Sequence, residues 1–136
     1  NAMISRDGYR TKHFWFVKDI NEKLDKIAPY VLSYEHKGVI AYGDTLCRFP
    51  KEFKMQSFGN IKEVMSDGML IGCFEKKGKF MYYMVNTSVL ESRVCHIAFN
   101  KKIRAKLIRG LAETEFIGDD LYKPLAAGEG LLIVEE

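Results

Sequence analysis

The sequence predicts a mainly-β chain in which one N-terminal α-helix precedes an antiparallel β-sandwich of Ig-like or jelly-roll-like type. Three observations carry this. One segment near the N-terminus repeats apolar residues at helical spacing. From Tyr34 onward the period changes, and short apolar runs alternate with turn residues. The length of 136 residues suits a single hydrophobic core. The expected organisation is a tag remnant and linker over 1–9, a helix and exit segment over 10–33, and the sandwich over 34–136. Asn1 and Ala2 stand before Met3, an order that resembles the scar of a cleaved purification tag. On that reading the chain is a piece of something larger.

The helix is expected from Lys12 to Ala28. Thr11 is placed to cap its start, and Pro29 to stop it, because proline cannot continue the hydrogen-bond ladder. Phe16, Ile20, Leu24 and Ile27, with Val17 beside them, form one apolar face, and Lys18, Asp19, Glu22, Lys23, Asp25 and Lys26 supply the wet side. Phe14 and Trp15 add aromatic bulk outside that face. A helix this apolar at its start is expected to pack on two partners, with Phe14, Trp15 and Phe16 as the interdomain contact.

Nine strands are expected: Gly38–Tyr42, Ile61–Ser66, Met69–Lys76, Lys79–Asn86, Arg93–Phe99, Lys102–Ile108, Glu113–Ile117, Tyr122–Leu125 and Gly130–Glu135. The clearest pairing joins Met69–Lys76 to Lys79–Asn86 through Lys77-Gly78, where glycine can take the positive φ of a tight hairpin. Asn100-Lys101 and Gly118-Asp119-Asp120 read as two further short connections. Ile103, Ala105 and Leu107 alternate with Lys102, Arg104 and Lys106, as in a strand with one face buried and one in water.

The net charge of +3 comes from dispersed lysines and arginines, which excludes the basic face that nucleic acid requires. No apolar run is long enough to span a bilayer, and no secretory signal stands at the N-terminus. Cys47, Cys73 and Cys95 form neither a disulfide framework nor a CxxC metal pair, which favours a reducing, cytoplasmic setting. His13, His36 and His96 lie on different elements without zinc spacing, and His96 is expected to be structural. Asp119-Asp120 reads as a turn. Glu35 or Asp44 could take part in paired-carboxylate glycosidic chemistry, but nothing places a partner for either. The chain has no GxSxG, GxGxxG or phosphate loop. No catalytic residue, cofactor or metal is therefore expected. Asn86-Thr87-Ser88 fits the glycosylation triplet but reads as a strand exit. Trp15, Phe49, Phe53, Phe58, Tyr82 and Tyr83 could stack on sugars, although aromatics at such positions more often fill a sandwich core.

The stretch from Lys12 to Leu32 resembles the last barrel helix and exit segment of bacterial TIM-barrel glycoside hydrolases of the β-galactosidase-like type. Phe16, Val17, Lys18, Ile20, Asn21, Lys23-Leu24, Ile27, Pro29 and Leu32 occupy the places of that helix pattern. A β-sandwich follows directly in that family. Its closing hairpins resemble Tyr82 to Ser88, then Ala98-Phe99, then Leu125 to Gly130, with Ala127 where proline is frequent. The resemblance implies a C-terminal accessory domain whose partner is an absent catalytic barrel, and it carries no catalytic residue onto this chain. Two other readings stay open. One is a carbohydrate-binding module. The other is a stand-alone interaction domain that associates, with itself or another protein, through the helix.

Overall fold

The computed structural model describes residues 2–43 and 54–136. A helix, α1 (Lys12–Ser33), is followed by seven strands: β1 (Glu35–Tyr42), β2 (Ile61–Val64), β3 (Met69–Lys76), β4 (Lys79–Asn86), β5 (Arg93–Arg109), β6 (Ala112–Leu125) and β7 (Gly130–Glu135). The class is the expected one, mainly β behind one helix. The strands form a single antiparallel sheet in the order β1-β3-β4-β7-β5-β2, with β6 on β5. The sheet curls on itself as a half-open sandwich, so the two expected layers belong to one continuous sheet.

The curl explains where the strand count was wrong. Arg93–Phe99 and Lys102–Ile108 are one 17-residue strand, and Glu113–Ile117 and Tyr122–Leu125 are one 14-residue strand. Asn100-Lys101 and Gly118-Asp119-Asp120 are not connections. They face each other across the β5–β6 ladder, where the register jumps between Ala98↔Asp120 and Ile103↔Gly118. Extra residues on one strand of an antiparallel pair bend it and strengthen its twist. Turn-forming residues therefore mark a corner here. Below the corner, β5 pairs with β2 on its free side, and above it with β7. The true hairpin turn is Gly110-Leu111, with Gly110 at φ 60° and Arg109 opposite Ala112. Lys77-Gly78 is the expected tight turn: both residues have positive φ, 48° and 78°, as a two-residue hairpin matched to strand twist requires.

α1 also departs from expectation. Pro29 lies inside the helix, which continues to Ser33. Proline removes one N–H from the ladder, but Pro29 and Asp25, four residues before it, are both exposed, so water can meet the freed carbonyl. The extra turn carries Tyr30 and Tyr34 onto the sheet. Thr11 holds the N-cap position without a capping hydrogen bond; its hydroxyl instead donates to the carbonyls of Ala2 and Met3 at 2.6 and 3.0 Å.

Strand alternation sorts the apolar residues into two clusters. Ile71, Cys73, Tyr82, Met84, Cys95, Ile97, Leu107, Leu131 and Ile133 point into the curl and form the main core. Met81, Ile108, Leu132 and Val134 point outward, and Ile27 and Tyr30 of α1, with its C-cap Tyr34, pack over them beside Phe74 and Tyr83.

Candidate functional site

The surface that departs most from a closed globule is α1. None of its residues is fully buried. One apolar face runs Phe16, Ile20, Leu24, Ile27, but the sheet reaches only its C-terminal end. Ile27 and Tyr30 are half-buried on the outer cluster, whereas Phe16, Ile20 and Leu24 are 52%, 54% and 52% exposed. Between the middle of the helix and the sheet runs a groove of about 330 Å³, lined by Ile20, Leu24, Ile27, Tyr83 and Ile108, with Lys23 and Glu129 among its polar residues. Of the three expected contact residues, Trp15 and Phe16 are exposed. Phe14 is half-covered: the Arg10 guanidinium lies 4.7 Å from its ring centroid, and Trp15 meets it edge-on at 5.2 Å.

The docked end is held by a charged latch. Glu113 on β6 accepts from Lys26 of α1 at 2.8 Å and lies 3.0 Å from Lys106 of β5. Lys106 in turn donates to the Tyr30 hydroxyl at 3.3 Å. The Lys26 hydrogen bond, then that of Lys106, holds the Glu113 carboxyl below the usual glutamate range, and the Glu113 and Tyr30 hydrogen bonds raise Lys106.

Among the described residues, the groups weighed for chemistry do not converge. His13 lies on α1, His36 on β1 and His96 on β5. His96 Nε2 is hydrogen-bonded to Asp120 Oδ1 at 2.8 Å, and its ring meets Tyr122 edge-on at 5.3 Å. Asp120 is thus a strand residue with a cross-strand partner and no turn residue. The nearby Ser66 hydroxyl bonds the main chain of His96, so no imidazole relay to a nucleophile forms. Glu35 is exposed and pairs with Lys37 at 3.2 Å. Asp44, Cys47, Phe49 and Phe53 lie outside the described residues. Among the described residues, no group of three His, Cys, Asp or Glu is placed to hold a metal ion, and no helix is long and apolar enough to cross a membrane. Burial pushes the Cys73 and Cys95 thiols up to about 12, which keeps them protonated and poor nucleophiles. Tyr82 and Phe58 pack within or against the inner core while Tyr83 lies on the outer face, so these aromatics share no common plane.

Two polar networks escaped the sequence reading. Tyr82 donates to Glu135 Oε2 at 2.6 Å, and Asn60 Nδ2 to Glu135 Oε1 at 2.7 Å. The Asn60 main-chain N–H donates to the Tyr82 hydroxyl at 3.0 Å. Burial, followed by the hydrogen bond to Glu135, strongly raises the Tyr82 phenol. Gly59 is required beside it, because a Cβ there would lie 2.5 Å from the Tyr82 oxygen at a φ of 57°. The signal was available: Glu135 continues the inward alternation of Leu131 and Ile133. The second network centres on Asn86, which is fully buried. Its amide donates to the carbonyls of Glu91, Leu125 and Ala126 at 2.8, 3.3 and 3.1 Å, and its oxygen accepts from Ser88 N at 3.0 Å. The triplet is the expected strand exit, and its asparagine has no free amide to offer a glycan. Both networks fasten loops to the sheet and leave no reactive group open to a ligand.

Comparison with models of known families, with curated proteins and with solved structures found no match.

Proposed function

We propose that the chain is a non-catalytic C-terminal accessory β-sandwich of a multidomain glycoside hydrolase, with α1 lying between the sandwich and a catalytic TIM barrel of the same polypeptide. One observation carries the reading. The apolar face of α1 is used by the sheet at Ile27 and left open at Phe16, Ile20 and Leu24, with Trp15 exposed beside it. An apolar side chain contributes about 1.5–3 kcal/mol when fully buried, so an open stripe of this size favours a second surface. The resemblance of Lys12–Leu32 to a final barrel helix names that surface.

The reading is tested by producing the barrel and this chain as two polypeptides in one cell. The two are expected to co-purify, and Trp15→Glu or Phe16→Glu is expected to separate them. The purified chain alone is expected to turn over no nitrophenyl glycoside. Turnover that follows this chain through purification and disappears on replacing one of its carboxylates contradicts the proposal.

A further inference from the structure

We infer that α1 is a detachable strap, a helix that leaves the sheet and returns to it without unfolding the sandwich beneath. Among the described residues, the inner core is built from the strands, with Met55 and Phe58 of the segment before β2 packed against it, and no residue of α1 belongs to it. What α1 covers is a separate patch on the outer face, Met81, Ile108, Leu132 and Val134, and it does so with Ile27, Tyr30 and Tyr34 at its C-terminal end. The rest of the helix is not seated, since the groove of about 330 Å³ separates Ile20 and Leu24 from Tyr83 and Ile108.

The polar fastening is equally local. Glu113 is faced by Lys26 from α1 and by Lys106 from β5, and Lys106 by the Tyr30 hydroxyl. All lie near the seated end, where solvent screens them. A segment with few buried apolar contacts and solvent-exposed polar ties opens at a lower free energy than the core it rests on. The hinge is the single residue between Ser33 and β1, Tyr34, which is itself half-buried on the outer cluster and turns the chain from helical to extended backbone. A strap built this way lets a helix keep a partner on its open face while the sheet swings beneath it. The inference rests on the docking geometry and holds whether or not that partner is a barrel.

The test is amide hydrogen exchange on the intact chain, followed by peptide and as a function of denaturant. Once released from the sheet the helix is marginal and unwinds, so amides of the interior of α1 are expected to exchange about 100-fold or more faster than those of β4 and β7, through an opening whose denaturant dependence is well below that of global unfolding. Ile27→Asp is expected to abolish protection in α1 and leave β4 and β7 protected. Exchange of helix and strands through one common, denaturant-sensitive opening overturns the inference. So does an Ile27→Asp variant in which strand protection falls together with that of the helix.

Discussion

The two faces of β4 and β7 place similar side chains in different circumstances. On the inner face Tyr82, Met84, Leu131 and Ile133 are enclosed by the curl of their own sheet. On the outer face Met81, Leu132 and Val134 are covered by a helix that is itself half-exposed. Alternation along a strand dictates both sets equally, and it does not say what will cover them. A sheet that bends at a corner closes one face from within. The other face must borrow its cover.

Replacing one isoleucine on each side sharpens this contrast most. Ile133→Ala in the inner core is expected to cost about 3–4 kcal/mol, because the removed atoms leave a cavity among fully buried neighbours. Ile27→Ala, at a half-buried site, is expected to cost about 1 kcal/mol. Chemical denaturation of the two variants measures both values. Equal losses would dissolve the distinction between an inner core and a borrowed cover.

Asn86→Ala comes next in expected effect. It leaves the carbonyls of Leu125 and Ala126 and the Ser88 N–H without their partner in a buried setting, at about 2–3 kcal/mol by the same measurement. The loss belongs to the strand side, so α1 is expected to stay docked, with amide protection in the helix unchanged below the unfolding transition.

The smallest effect is that of the latch. The Glu113 carboxyl is held below its ordinary range in the folded chain, chiefly by Lys26 and then by Lys106. Its contribution is therefore present above the unfolded glutamate value and is lost as pH falls through the lower folded one. Lys106, raised chiefly by Glu113, contributes below its unfolded value and loses that contribution as pH rises through the raised one. Both groups are solvent-screened, so the change is small; it loosens the tie of β6 to α1 through Lys26 and the cross-strand pair with Lys106. Acid titration followed by exchange in α1 is expected to show the helix loosening before the strands, and Glu113→Gln to remove that step.

Much of this organisation was legible in the residues. The helix, the Lys77-Gly78 hairpin and the inward alternation of Ile103, Ala105 and Leu107 follow from local periodicity and turn chemistry, which act over a few residues. The errors share a cause. Asn100-Lys101 and Gly118-Asp119-Asp120 carry turn residues, and the same backbone freedom that reverses a chain also bends a long strand. Only the cross-strand register separates the two outcomes. Local rules make Pro29 a stop because they do not contain the tertiary contribution of seating Tyr30 and Tyr34 on the sheet. The Tyr82–Glu135–Asn60 and Asn86 networks join residues far apart in the chain. Of the expected contact residues, Trp15 and Phe16 are open, while Phe14 is already half-covered by Arg10 and Trp15.

The central claim is that the open face of α1 belongs against a catalytic barrel of the same polypeptide. It is tested most directly by reading the coding sequence immediately upstream of Met3 in the source genome. The account predicts an in-frame barrel of about 250 residues or more, with an acidic residue at the ends of two of its strands. A translation start at Met3 behind a stop codon contradicts it.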